Sequence, residues 1–206
     1  MTARTIVGGL LVLGLGIFLI GAARWRLAYE QALAASLPLI HVDRRRRAWI
    51  HVWMIVALFL TPAGVAGLAL LARNEVATIV ATLATVVYGI GATGLIAALA
   101  FRLTVVPWAA ERTVSTGGVP DGFEALNAWA GSLYVVHMVA AYVAYALLGV
   151  AILAEDNLPS WLGWLGLAWG ATFLVGFVVT RFSGIFNPPF WAHTYTGVIG
   201  VVLLTS

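Results

Sequence analysis

The chain contains neither cysteine nor lysine, and charged residues make up only 9% of its 206 residues. Without cysteine it cannot form disulfides, iron–sulfur clusters or thiolate metal sites. Without lysine it cannot form a Schiff base, which excludes a lysine-bound retinal. All eleven basic residues are therefore arginine, and the formal net charge is +3.

Hydrophobic residues, by contrast, make up 62% of the chain, and the mean hydropathy is +1.00. Several apolar runs reach the roughly 18–20 residues that a helix needs to cross a bilayer. A lipid environment permits only helices or a closed barrel. Barrel strands would alternate polar and apolar residues, and these runs do not alternate. The sequence therefore predicts an all-α, polytopic transmembrane bundle.

Six spans are predicted in a single transmembrane domain that covers residues 1–206, at about 5–23, 49–71, 76–106, 128–154, 161–180 and 190–204. The last span is the shortest, and Pro188 and Pro189 suit its first turn. The segment 24–37 is rich in helix formers, so it either extends the first helix or lies along the membrane interface until Pro38 stops it.

The loop predicted at residues 107–127 is rich in proline and glycine, and these residues, Pro107 among them, are expected to form turns. After this loop, Asp121 or Asn127 is expected to cap the fourth span.

Arginine placement predicts the orientation of the bundle. Nine arginines lie on the side of the loops that follow spans one, three and five, and only Arg4 and Arg73 lie on the other side. The positive-inside rule then places both termini outside and the long loops in the cytoplasm, as in a multi-pass protein of the bacterial inner membrane. Four of the nine are consecutive and serve either as a topology anchor or as a site for anionic headgroups, at about 1 kcal/mol each; they are Arg44, Arg45, Arg46 and Arg47.

Three histidines fall inside predicted spans, where an ionisable side chain is costly and points to function. His51 and His193 lie in the first turns of spans two and six, and His137 lies about two and a half turns into span four. These spans run in the same direction. All three histidines are therefore expected toward the arginine-rich side, with His51 and His193 at matching depth and His137 deeper.

Two imidazoles at similar depth on facing helices suit haem b, ligated from both faces by His51 and His193, with His137 as an alternative ligand. The haem propionates would pair with a nearby arginine, namely Arg24, Arg26 or Arg181.

Two other interpretations of the histidines stay open. Three imidazoles, or two with a carboxylate from Glu111, Asp121 or Glu124, would suit a zinc or iron ion. Alternatively, His51 and His193 simply rest at the membrane interface, and His137 forms a hydrogen bond across the bundle.

Aromatic and polar residues are dense at the start of the last span, in the run from Asn187 to Tyr195. They could line a small apolar pocket near the arginine-rich face for a quinone, lipid or sterol, or the double proline could merely turn the chain. The candidate pocket or interface residues are Trp191, Tyr195 and Tyr134.

Small residues mark faces where helix backbones can touch, either within the chain or between copies of it. Gly166 and Gly170 form a GxxxG pattern in span five, and span three carries Gly91 and Gly94. Pro62, in the middle of span two, is expected to kink that helix.

The stretch Leu158–Leu167, which reads LPSWLGWLGL, precedes a final span that opens with prolines and closes on Gly197 and Gly200. This part resembles the C-terminal third of a broad group of uncharacterised bacterial six-helix membrane proteins, found mostly in actinobacteria and related GC-rich lineages. That resemblance implies a fold and no activity. The histidine set also resembles, in layout, that of membrane haem-b electron carriers.

Four functions remain open from the sequence. The leading hypothesis is a non-catalytic binding module or subunit of a membrane complex, with the lipid bilayer, other membrane subunits or a second copy as partners. The alternatives are a haem-b electron-transfer protein, a metal-dependent enzyme acting on lipid or quinone, and a small-solute transporter that uses Pro62 as a hinge. No nucleic-acid partner is expected, because the modest positive charge of a membrane protein reports its orientation.

Overall fold

A computed structural model describes residues 1–24, 32–155 and 157–205. Within these ranges the chain is helical and contains no strand, which confirms the predicted all-α bundle. The helices are α1 (Ala3–Ala22), α2 (Leu33–Val42), α3 (Arg44–Leu71), α4 (Glu75–Thr116), α5 (Phe123–Leu153), α6 (Ser160–Val179) and α7 (Trp191–Thr205), with a 3₁₀ turn at Gly184–Phe186.

Five of these helices, α1 and α3 to α6, are long and apolar enough to cross a membrane. The sixth predicted span corresponds to α7, whose 15 residues reach only about 22 Å. The additional helix, α2, falls in the connection after the first span. The rest of that connection, residues 25–31, lies outside the described residues, and with it most of the predicted segment 24–37.

Two prolines that were expected to interrupt helices lie inside them. Helix α2 continues through Pro38, and α4 continues through Pro107 to Thr116. The expectation that these residues end helices is therefore wrong. Tertiary packing explains the difference in α4, because the part of this helix beyond Pro107 buries Ala109, Ala110 and Thr113.

The predicted side-chain caps of the fourth span are also wrong. Helix α5 begins at Phe123, four residues before Asn127, and Gly122 occupies the cap position with a φ of 76°. Helix α4 ends similarly at Gly117, with a φ of 78°. Two left-handed glycines thus make the turn between α4 and α5, where an Asp or Asn cap was expected.

Helix α5 lies at the centre of the bundle, between α4 and α6, while α1 packs against α3 and α7. Glycines allow several of these contacts. A Cβ at Gly91 would lie 2.6 Å from Cβ of Ala140, and one at Gly170 would lie 2.5 Å from the carbonyl oxygen of Tyr142. These small residues therefore serve contacts between helices of the same chain.

Both ends of the chain lie at the same end of the bundle. A Cβ at Gly8 would be 2.9 Å from the Gly200 carbonyl oxygen, so the start of α1 meets α7 near its end. The Arg4 guanidinium donates a hydrogen bond of 2.8 Å to the Asn157 carbonyl, between α5 and α6. The turn between α3 and α4 belongs to the same network, because the backbone N–H groups of Arg73 and Asn74 in this turn donate hydrogen bonds to the Glu155 carboxylate. We call this the terminal end, and the arginine-rich connections lie at the opposite end.

Candidate functional site

Residues 180–190, here called the return segment, bring the chain from α6 back into the bundle before α7 begins. Its second and third residues, Arg181 and Phe182, have left-handed backbone conformations, with φ values of 52° and 61°. Two of its backbone carbonyls accept hydrogen bonds from tyrosine hydroxyls of α5. Tyr134 donates to the Asn187 carbonyl, and Tyr142 donates to the Phe186 carbonyl at 2.7 Å. Irregular backbone inside a membrane protein requires such partners. Helix α7 can therefore begin deep in the bundle.

His193, in the first turn of α7, consequently lies in the core. Its ring is fully buried, its Nδ1 is 3.1 Å from the hydroxyl of Thr61 on α3, and Phe18 of α1 stacks on it with a centroid distance of 4.5 Å. Its Nε2 has no hydrogen-bond partner among the described residues.

His137, on α5, is the neighbour of His193. Its ring is also fully buried, and Tyr88 of α4 meets it edge-on at 6.0 Å. Gly91 makes room, because a Cβ there would be 3.2 Å from Cα of His137. The Gly91 carbonyl lies near the ring, but neither His137 ring nitrogen has a partner with hydrogen-bond geometry in the described part of the chain.

The two histidine rings are neighbours, with their centroids 6.4 Å apart and their planes tilted by 39°. We call His137, His193, Thr61, Tyr88 and Phe18 the central histidine cluster. Four helices and the start of a fifth supply these residues, so the cluster exists only in the folded bundle. Thr61 lies ten residues before the end of α3, about 15 Å from the terminal end, which is close to the middle of a bilayer core about 30 Å thick.

Two further tyrosines, Tyr145 and Tyr195, extend from Tyr88 of the cluster toward the terminal end. Tyr88 donates a hydrogen bond of 2.8 Å to the Ala192 carbonyl, which fixes the start of α7 beside α4. Tyr145 stacks with Tyr88 at 6.4 Å and meets Tyr195 at 5.1 Å. The Tyr145 hydroxyl lies near Thr196, but it has no hydrogen-bond partner among the described residues.

The expectation that His51 and His193 share a depth is wrong. His193 contacts Thr61, which lies ten residues after His51 on α3, or about 15 Å along the helix axis. His51 is buried near the arginine-rich end, close enough to Arg102 and Arg47 for electrostatic interaction. The return segment causes the difference, because α7 begins inside the bundle rather than at the interface. His193 meets His137 instead.

The other predicted ligands do not join the cluster. Arg181 is exposed in the turn after α6, and Glu111, Asp121 and Glu124 are exposed at the arginine-rich end. Glu124 precedes His137 by 13 residues on α5, or about 20 Å. Within the described ranges, no group of three or more His, Asp or Glu side chains is placed to hold a metal ion. Arg26, a predicted propionate partner, lies outside those ranges, whereas Arg24 lies over the Trp49 ring.

The predicted pocket residues use their polar atoms to hold the backbone. Trp191 donates to the Ile185 carbonyl at 2.8 Å, and Tyr195 donates to the Leu162 carbonyl at 3.0 Å. With the bond from Tyr134 to Asn187, two of these three contacts secure the return segment. These residues therefore position α7, and with it His193.

The four consecutive arginines form the first turn of α3 rather than a loop before it. Arg44 and Arg45 are exposed, and Arg46 pairs with Asp43 at 2.8 Å. This placement at the arginine-rich end, opposite both termini, is consistent with a topology anchor.

Sequence reasoning did not identify Thr61, Tyr88 or Phe18 as site residues. In the sequence, Thr61 is distinguished only by its neighbour Pro62, and Tyr88 and Phe18 are typical of apolar spans. The one signal in the sequence is His137 itself, because an ionisable side chain in the middle of a span is energetically costly. Which residues surround it depends on how the helices are rotated, and the sequence does not show that rotation. Comparison with family models, curated proteins and solved structures finds no match.

Proposed function

We propose that this protein is a membrane-embedded binding module that holds a small polar ligand or ion at the central histidine cluster. The proposal keeps the binding function inferred from the sequence, but it moves the site from the arginine-rich face to the middle of the bundle. It rests on one observation: two neighbouring, fully buried imidazoles present three ring nitrogens without hydrogen-bond partners among the described residues.

The free-energy cost of this arrangement supports a function. A buried polar atom without a partner costs about 1–3 kcal/mol, and folded proteins satisfy nearly all such atoms with protein, water or ion. Apolar side chains at the two positions would avoid that cost. Ionisable groups inside a membrane bundle typically mark a functional site.

The packing favours a ligand of few atoms over a macrocycle. Phe18 stacks on one histidine ring and Tyr88 meets the other edge-on, while α4 and α5 touch at Gly91 and Ala140. A porphyrin between the rings would displace these side chains and separate the helices. The residues around the pair therefore do not fit a haem.

Native mass spectrometry tests the proposal without assuming the identity of the ligand. The protein is extracted from membranes in detergent without chelator, and the wild type is compared with His137→Leu and His193→Leu. We expect a bound mass on the wild type that both variants lack, because each variant removes one of the two neighbouring imidazoles.

His51→Leu is the matched control, since it removes a buried histidine about 15 Å away along α3. It should keep the bound mass. A wild type that carries nothing beyond the lipid and detergent shared by all four proteins would contradict the proposal. So would a bound mass that persists in both cluster variants.

A further inference from the structure

We infer that the ligand of the central histidine cluster is a single monovalent copper ion, Cu⁺, held between His137 and His193; this inference rests on the binding function proposed above. The first support is spacing. The ring centroids are 6.4 Å apart, and two imidazoles on opposite sides of one ion, with metal–nitrogen bonds of about 2.0 Å, have centroids about 6.3 Å apart. The 39° tilt between the rings is compatible with rotation about those bonds.

The second support is the orientation of His193. A histidine that binds a metal through one ring nitrogen usually donates a hydrogen bond from the other, which fixes the tautomer and the ring. In His193 the Nδ1 atom lies 3.1 Å from the Thr61 hydroxyl, whereas Nε2 has no partner among the described residues. With the proton on Nδ1 and donated to Thr61, the Nε2 lone pair faces the core as a ligand. Thr61 is then a positioning residue.

The third support is charge. Both donors are neutral imidazoles, and the described residues supply no third His, Asp or Glu to the site. A divalent ion would therefore bring two uncompensated charges into the membrane interior, where charge is costly. A monovalent ion brings one. Imidazole suits copper among the transition metals, and Cu⁺ is the copper ion that accepts two ligands in a linear arrangement.

Copper retention under competition tests the identity of the ion. The purified protein in detergent is incubated anaerobically with Cu⁺ and ascorbate, passed over a desalting column in bathocuproine disulfonate, and analysed for copper by mass spectrometry. We expect one copper ion per chain for the wild type and for His51→Leu. The copper should be lost from His137→Leu and His193→Leu. Thr61→Val should retain the site with an affinity about 10- to 100-fold lower, the usual effect of removing such a partner.

His137→Met guards against a variant that loses copper because it misfolds. A thioether is a soft ligand that selects Cu⁺, so this variant should keep copper where His137→Leu loses it, and neither should hold Zn²⁺ through the same desalting step. Wild-type protein that is monodisperse but retains no copper would overturn the inference, as would one-to-one Zn²⁺ retention that depends on the same two histidines.

The two proposals fail in different ways. If native mass spectrometry finds a histidine-dependent bound mass that is not copper, the binding function stands and only the copper assignment is wrong. If neither experiment finds a ligand at the cluster, both are wrong.

Discussion

At the scale of single residues, the central histidine cluster depends on neighbouring glycines, which have no side chain, as much as on the histidines themselves. His137 can approach α4 because position 91 has no side chain, and His193 can lie against Thr61 because Gly14 opposes it: a Cβ at Gly14 would be 2.5 Å from the Thr61 hydroxyl. These glycines are thus part of the site. In the sequence they resemble any small residues of a membrane helix.

We therefore expect Gly91→Ala to destabilise the protein while Gly89→Ala does not. The new methyl at position 91 would meet Ala140 at 2.6 Å, whereas nothing lies within 4 Å of a Cβ at position 89. Overpacking of this kind costs about 1–3 kcal/mol. Thermal unfolding in detergent, monitored by circular dichroism, measures the difference. Equal unfolding temperatures for the two variants would mean that α4 and α5 do not meet at this level.

At the scale of elements, the return segment decides where the site lies. Its irregular backbone is acceptable inside the bundle because α5 supplies hydrogen-bond donors at Tyr134 and Tyr142. Aromatic packing adds to this support, since Phe186 meets Phe173 at 5.3 Å. Helix α7 consequently begins beside Thr61, and the depth of His193 follows from the segment that precedes it.

Removing one of these donors should loosen the return segment. We expect Tyr142→Phe to leave the Phe186 carbonyl unpaired, at a cost of about 1–3 kcal/mol, and to speed hydrogen exchange in residues 184–187. Tyr145→Phe is the matched control, because Tyr145 is equally buried on the same helix but its hydroxyl has no partner in the described part of the chain. Exchange that is equally fast in both variants would argue against this role for Tyr142.

The turns at the terminal end are joined by a carboxylate. Glu155 accepts hydrogen bonds from the backbone N–H groups of Asn74 at 3.0 Å and Arg73 at 2.7 Å. These bonds lower the pKa of Glu155 below its ordinary value, with a smaller contribution from the Arg73 charge. Because the pKa is lower in the folded state, this carboxylate stabilises the fold at pH values above its unfolded-state pKa of about 4.3.

We expect that stabilisation to disappear as the pH falls from about 4.3 through the lower pKa of the folded state. Glu155→Gln should reduce stability at neutral pH and flatten the acid limb of the profile. Unfolding temperatures of the two proteins across this pH range measure the effect. Parallel profiles would show that the Glu155 contacts do not contribute to stability.

At the scale of the whole molecule, both termini lie at one end and the arginine-rich connections at the other. The distribution of charge indicates the orientation of the bundle in a membrane. Arg24, Arg112, Arg181 and the arginines that open α3 all belong to the arginine-rich end. By the positive-inside rule, we expect this end to face the cytoplasm.

This arrangement predicts termini outside the cytoplasm. Alkaline phosphatase fused to the C-terminus should be active in a bacterial host, and green fluorescent protein fused there should be dark. Fluorescent protein inserted after Gly118, in the exposed turn between α4 and α5, should fluoresce. The opposite pattern at both positions would mean that the charge bias does not set the orientation of this chain.

The sequence alone determined the class of the molecule: an all-helical membrane bundle with its arginines at one end. It could do so because hydropathy and charge act residue by residue, with no need to know which helices touch. The run of apolar residues from Ala128 to Ala154 predicts a span whatever lies beside it. The cost of an ionisable side chain in such a run also makes His137 a candidate site residue.

Tertiary structure decided everything that depends on rotation and depth. Helix packing keeps α4 helical beyond Pro107. The tyrosines of α5 bind the return segment by hydrogen bonds, so that α7 begins inside the bundle. For this reason His193 meets His137, with Thr61 at its Nδ1 atom, and does not meet His51. Such contacts join residues more than forty positions apart, on helices that expose apolar side chains on every face. No periodicity in the sequence therefore indicates which faces meet.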